Sequence, residues 1–266
     1  LCTGTTTLTE PTVTDNCPLG NGLDLGGDND YVSFPSNVIS AATAFTFESW
    51  INPRSHASWA RIFDFGNGLP DLVMLSSSVG ASGVPAFYIF KNGVSQQMTA
   101  PSAIPLNTWT HIAVTLSGTT ATMYINGVQV AQNTSFTLNP AAVGATTNNW
   151  LGRSQQSGDS YLDGKLDEVR FWNVARSQAQ IQASMGRELV GNESGLVAYY
   201  RLNQGTAGDN NPGINTAIAA TGPTGTLNNF AMNGPSSNWV KGVFGALTND
   251  APPTFPKGAT TVTWTT

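Results

Sequence analysis

Asp167 and Glu168, within the stretch Leu162–Trp172 (LDGKLDEVRFW), are the residues whose types and spacing first suggest chemistry. Adjacent acids can do acid–base work or hold a metal. Read as a strand, period-2 alternation puts Asp167, Val169 and Phe171 on one face. Leu166, Glu168, Arg170 and Trp172 fall on the other. The two acids then point opposite ways, and Glu168 finds a partner in Arg170. Asp167 shares its face with two large apolar residues, where an unpaired carboxylate is costly. A hard cation such as Ca2+ would satisfy it. So would a rim position beside Lys or Arg, or the turn N–H groups after Asp163-Gly164.

A second acidic cluster is Gly26-Gly27-Asp28-Asn29-Asp30. Such a loop offers carboxylate, amide and carbonyl oxygens at short spacing, which suits a calcium ion, although it lacks EF-hand spacing. The alternative is an ordinary turn whose acids face water. Hydrolytic chemistry is less well served. The five glutamates are Glu10, Glu48, Glu168, Glu188 and Glu193, and no E-x-D-x-x-E or similar cluster occurs. Retaining glycosidases need two carboxylates about 5 Å apart. His56 lies in a loop segment and His111 in a strand segment, neither beside a nucleophile motif such as G-x-S-x-G.

Sugar recognition asks for exposed rings beside planar polar groups. Three loops combine them: Arg54–Arg61 with His56 and Trp59; Asn148-Asn149-Trp150; and Arg153–Tyr161 with Gln155, Gln156, Asp159 and Tyr161. Trp59 and Tyr161 are the expected exposed rings, against the alternative of packing under a loop. Trp50, Trp109 and Trp172 fall in strand segments and are expected in the core.

The elements that must position these groups read as β-strands. Short alternating runs are separated by turn residues every 8–15 residues, a sandwich pattern. Asn92-Gly93 and Asn126-Gly127 each sit between alternating runs and predict type I′ hairpins. One short helix is expected in ARSQAQIQASMGREL, with Ser177 and Gln180 as capping box, Ile181, Met185 and Leu189 on one face, and Gly191 as the stop. Residues 204–235 read as a long irregular excursion, with one edge strand at Gly225–Phe230.

Composition narrows the function classes. The 266 residues are 40% hydrophobic and only 10% charged, so Thr, Ser, Asn, Gln and Gly must cover the surface. That suits an extracellular β protein. A net charge of −5 without a Lys/Arg run disfavours nucleic acid and anionic membranes, and no apolar run is long enough to insert in a bilayer. The opening LCTGTTTLTE has neither region of a signal peptide, so a mature form or a piece of a longer multidomain chain is expected. Cys2 and Cys17 are the two cysteines. The threonine-rich β composition favours a bridge and an oxidising compartment over free thiols.

Six segments, in order, resemble one family. G-x-[IL]-D-E-V-R-[IF]-[WY] at 164–172 is similar to a hallmark of laminin-G-like and pentraxin-like lectin domains, the concanavalin A-like jelly rolls. Gly22–Pro35, Phe45–Pro53, Asn107–Ala131, Asn149–Ser154 and Gly195–Gly205 resemble further strands of that family. The resemblance covers residues 20–242. It implies an all-β sandwich of two antiparallel sheets with one short helix, and a structural calcium held by Asp167 with Asp28 or Asp30. The two ends, Cys2–Cys17 and Phe255–Thr266, resemble the halves of a hyalin repeat, an immunoglobulin-like module. Three parts follow: 1–19, the jelly roll 20–242, and 243–266, with the jelly roll inserted in the flanking module. The alternative is two unrelated terminal strands.

The leading expectation is a non-enzymatic, lectin-like module of a secreted or surface-anchored bacterial adhesin, binding a glycan or a cell-surface protein. Arg54, His56, Trp59, Asn149, Arg153, Asp159 and Tyr161 are its candidate contacts. The alternatives are a structural or protein-binding spacer, and a glycoside hydrolase or its accessory carbohydrate-binding domain.

Overall fold

The computed structural model describes residues 20–244, 248–249 and 264–265. Cys2, Cys17 and most of the hyalin-like flanks lie outside the described residues.

The strands run in chain order β1 (Asn21–Gly26), β2 (Tyr31–Phe34), β3 (Phe45–Pro53), β4 (Arg61–Gly66), β5 (Leu72–Ser76), β6 (Ala86–Lys91), β7 (Val94–Thr99), β8 (Thr110–Ser117) and β9 (Thr120–Ile125). They continue with β10 (Val128–Asn133), β11 (Asn148–Leu151), β12 (Asp163–Trp172), β13 (Leu196–Tyr200), β14 (Thr216–Ala217), β15 (Gly225–Asn228), β16 (Trp239–Lys241), β17 (Thr248–Asn249) and β18 (Trp264–Thr265). Sheet 1 has the order β10-β9-β8-β3-β12-β1-β16, with β13 pairing the second half of β12. Sheet 2 has the order β14-β15-β2-β11-β4-β5-β6-β7, and β17 pairs with β18 alone. Every pairing within the two large sheets is antiparallel, as the sandwich expectation requires. The segment Gly22–Pro35 supplies one strand to each sheet.

The core lies between the sheets. Phe47 and Phe171 of sheet 1 meet Phe63 and Phe65 of sheet 2; Phe65 stacks on Phe171 at 5.0 Å and Phe47 lies 4.7 Å from Phe63. Leu23, Leu25, Leu166 and Val169 join them, fully buried. The apolar halves of the alternating runs thus close one interior.

Both Asn-Gly hairpins form. Lys91 pairs Val94 across Asn92 (φ 49°) and Gly93 (φ 81°), and Ile125 pairs Val128 across Asn126 (φ 49°) and Gly127 (φ 72°). The expected helix is α2 (Gln178–Met185), following the one-turn α1 (Pro140–Val143), and the Ser177–Gln180 capping box is made in both directions. α2 ends at Gly186 rather than Gly191, because the chain turns away there. Leu189 packs instead with Trp172, Leu196 and Tyr199. The four-residue α1 was not anticipated. Nor is the 225–228 strand an edge, since β15 lies between β2 and β14.

The alternation expected for LDEVRFW does not hold. Leu166, Val169 and Phe171 share the core, while Asp167 pairs Trp50 and Arg170 pairs Glu48 on the outer face. Between those pairs Glu168 and Val169 together face Ser49, a β-bulge with Glu168 at φ 54°. One extra residue shifts the phase, so Asp167 and Glu168 fall on the same outer face. Trp50 and Trp172 also belong to that face rather than to the interior. α2 covers it: the Trp50 indole donates to the Met185 carbonyl at 2.8 Å, and Arg170 donates to the Ser184 and Arg187 carbonyls at 3.1 and 2.6 Å. Arg170 and Trp50 thereby satisfy carbonyls at the helix C-terminal end.

Candidate functional site

The outer face of sheet 2 carries the rings that reach solvent. In β2 the core takes Val32 and Phe34, leaving Tyr31 and Ser33 outward. Trp150 of β11 pairs Ser33 on one side and Asp64 on the other, so it shares that face. Gly152 then ends the strand, and Arg153 folds back with its guanidinium 4.3 Å over Trp150 and 4.6 Å over Tyr31. Tyr161 closes the group, 6.5 Å from Tyr31. All four side chains are half-buried. The result is a rigid platform of three rings and one cation, with hydrogen-bonding edges at its rim.

Beside the platform lies a buried ion network. Asp64, fully buried on β4, accepts from Arg61 Nε at 3.2 Å, Gln155 N at 3.2 Å and Gln155 Nε2 at 3.1 Å. Arg61 also donates to Asp159 at 2.7 Å, and Ser154 Oγ donates to the same Asp159 oxygen at 2.7 Å. Burial pushes the Asp64 carboxyl up to about 6, against the pull of Arg61 and Gln155. This network anchors the Arg153–Tyr161 loop to sheet 2. Beyond it Trp59 stands 6.1 Å from Tyr88, which stacks on Phe90 at 5.5 Å. Trp59 is half-buried and has φ 56°, left-handed backbone that a bulky residue rarely adopts.

The structure therefore gathers part of the expected contact set. Trp59, Arg153, Asp159 and Tyr161 lie on or beside this face, joined by Trp150. Arg54 and His56 do not. The Arg54 guanidinium bridges Asp24 and Asp163 and donates to the Leu25 carbonyl, tying β1, β3 and β12 together. His56 Nε2 bonds the Ile104 carbonyl at 2.9 Å. Asn149 is fully buried, its amide donated to the Pro35 and Thr146 carbonyls at 2.8 and 3.3 Å, because alternation in β11 turns it away from Trp150. Tyr31, Tyr88 and Phe90 were missed, although the runs YVSF and FYIF place them on one face by their period.

The three candidate metal ligands are not brought together. Asp28 is exposed. Asp30 is buried, accepts from Gly26 N at 2.7 Å, and leaves Oδ1 without a hydrogen-bond partner. Asp167 lies at the other end of β1, since Gly26 pairs Asp163 while Leu23 pairs Leu166. Its two oxygens accept from Glu168 N at 2.8 Å and Val243 N at 2.7 Å. One ion cannot take all three, and among the described residues no group of three or more His, Cys, Asp or Glu side chains could hold a metal.

The acids of the LDEVRFW stretch share a face but not solvent. Asp167 is 1% and Glu168 2% exposed. Glu168 accepts from Arg170 and, at 2.7 Å, from the Tyr199 hydroxyl. Nearby, Glu48 accepts from Trp172 Nε1 at 2.8 Å and from Arg176. These groups hold α2 to sheet 1.

A presumed carbohydrate-binding protein from Bacteroides ovatus is similar at 21% identity and TM-score 0.57, over 79% of this chain and 58% of that one. This chain thus spans little more than half of that relative. Domain 4 of AbnA, a GH43 extracellular arabinanase from Geobacillus stearothermophilus solved with arabinotriose, matches at 21% identity and TM-score 0.51, over 61% and 75% of the two chains. The CBM40 of Ruminococcus gnavus IT-sialidase, bound to α2,3-sialyllactose, matches at 12% identity and TM-score 0.52, over 63% and 98%. These likenesses establish the shared fold. No curated protein sequence matches the chain. Residues 25–182 match the family description, more than half of the sequence, and the chain belongs to the concanavalin A-like lectin/glucanases superfamily.

Proposed function

We propose that this chain is a non-catalytic carbohydrate-binding module and that the outer face of sheet 2 is its ligand surface. The observation that carries the reading is the platform of Tyr31, Trp150, Arg153 and Tyr161, whose rings are half-exposed and locked by the guanidinium stacked on two of them. Rings held in this way stack on the C–H faces of a sugar, while Arg153 and the ring edges address its hydroxyls. The likeness to the Bacteroides ovatus protein, to the arabinanase domain solved with arabinotriose and to the sialidase CBM40 bound to sialyllactose supports the same class of ligand. The acids of this face also support a role without hydrolysis: Asp64 is buried and paired, and Asp159 is paired with Arg61. The low charge and the hyalin-like ends support an extracellular setting within a longer surface-associated chain.

A glycan array followed by tryptophan-fluorescence titration tests the reading. We expect neutral oligosaccharides to bind and Trp150→Ala to weaken them about tenfold or more, roughly 1.4 kcal/mol. Absence of any binder at millimolar glycan, or a Trp150→Ala protein that binds unchanged, would overturn it.

A further inference from the structure

We propose that a second ligand site lies on the outer face of sheet 1: a groove of about 280 Å3 lined by Asn52, Arg54, Asn107, Lys165, Pro235 and Ser236, which takes the carboxylate and flanking hydroxyls of one acidic monosaccharide unit. It lies on the opposite side of the sandwich from the ring platform and stands independently of it.

Strand register builds the floor. Lys165 of β12 pairs Asn52 of β3 on one side and Asp24 of β1 on the other. The neighbours Leu23, Ile51 and Leu166 are in the core, so Lys165 and Asn52 are outward. Asp24 is outward too but fully covered: Arg54 holds one oxygen and Ser237 N reaches the other at 3.1 Å. That acid is consumed within the wall. The lining itself contains two cations, two amides, a hydroxyl and a proline, and no carboxylate. Arg54 is neutralised by Asp24 and Asp163, which leaves the Lys165 ammonium as the charge in this lining that an anion would meet.

The walls are fixed while the recognition groups are unspent. Arg54 is pinned by Asp24, by Asp163 at 2.8 Å and by the Leu25 carbonyl. Asn107 is held at φ 54° by its N–H donated to the Pro53 carbonyl at 2.8 Å. The Pro235–Ser236 wall is tied down through Ser237, whose N–H binds Asp24 and whose hydroxyl accepts from Ala231 N at 3.0 Å. By contrast the side chains of Asn52, Asn107, Lys165 and Ser236 make no hydrogen bond or ion pair among the described residues. A preorganised frame carrying free donors loses little freedom on binding. The volume lies just under the range of drug-sized ligand pockets, which limits the occupant to a single sugar unit. Lys165 supplies the point charge for the carboxylate; the two amides and Ser236 take hydroxyls.

The experiment titrates isotope-labelled protein with D-galacturonate and D-glucuronate and follows the side-chain amide signals of Asn52 and Asn107 and the indole signal of Trp150. We expect millimolar uronate to shift the two amides and leave the Trp150 indole unmoved. Lys165→Met should weaken that response about tenfold, and Asn107→Gly, which tolerates the left-handed backbone, about threefold, each with a native-like spectrum otherwise. Equal shifts from the uronate methyl ester or a neutral hexose would overturn the charge recognition. Equal saturation by inorganic sulfate would reduce the groove to an anion trap and overturn the sugar assignment. No amide shift overturns the site. A silent groove beside a Trp150 response to neutral glycans sinks this proposal alone; the reverse pattern sinks only the platform.

Discussion

Glu168 combines a backbone and a side-chain demand. Its φ of 54° lets the bulge set two residues against Ser49, and its carboxylate receives both Arg170 and Tyr199 within the covered face. Those two hydrogen bonds offset part of the cost of a left-handed glutamate and of burying its charge, and burial still outweighs them in raising its carboxyl. Asp30 makes a different demand, because one of its oxygens is buried without a partner. We propose that a calcium ion on the Asp28–Asp30 loop supplies it, with main-chain oxygens and without Asp167. EDTA should then lower Tm, added calcium should restore it, Asp30→Asn should abolish the response, and Asp167→Asn should retain it. A Tm insensitive to EDTA after exhaustive stripping would remove the ion. The acids themselves were legible as a cluster worth attention. Which way they pointed was not, because a bulge belongs to the pairing of β12 with β3, two strands far apart in sequence, and leaves no mark in the period of β12 alone.

At the scale of elements, β12 is the strand on which the sheet 1 contacts converge. It pairs β3 along its length, β1 over its first half and β13 over its second. Gly164 marks where that packing is tightest: a Cβ there would lie 2.6 Å from the Asn52 carbonyl oxygen and 2.7 Å from Pro53 Cα, both backbone atoms. Gly164→Ala must therefore push β3 and β12 apart, and we expect a loss of more than about 2 kcal/mol, read as a lower urea midpoint with little change in m. A midpoint within error of the parent would mean that the two strands separate freely there. Elements defined by short-range rules were readable in advance: two Asn-Gly hairpins, the Ser177 capping box and the alternating runs. The recognition face was only partly readable. Trp59, Trp150, Arg153 and Tyr161 announce themselves by residue type, but Arg54 and Asn149 look equally suited to sugar and are spent on Asp24, Asp163 and the Pro35 carbonyl. Long-range pairing decides between those fates.

For the whole molecule, the buried ionisable groups set how stability follows pH. Burial raises Glu168 to about 7 and Asp64 to about 6, and raises Asp24 and Asp167 as well. Between its unfolded value near 4.5 and about 7, Glu168 holds a proton when folded and releases it on unfolding. Its stabilising contribution is complete below the lower value and is lost as pH rises through the upper, with a slope of up to about 1.4 kcal/mol per pH unit inside the window. Asp64 acts in the same direction from 3.8 to about 6. His111 opposes them: burial and the nearby Arg170 and Arg176 lower it from 6.5 to about 3, so its contribution is present above 6.5 and is lost as pH falls. One histidine is set against four raised carboxyls, and above pH 6.5 it no longer opposes them. The urea midpoint should therefore fall as pH rises from about 5.5 to about 7.5. Glu168→Gln keeps an acceptor for Arg170 and Tyr199 but cannot titrate, so it should flatten the segment between about pH 6 and 7 and leave the Asp64 segment below it. A parent midpoint that rises through that segment, or a variant that falls as steeply as the parent, would show that Glu168 enters the fold already ionised, with Arg170 outweighing the cost of burial.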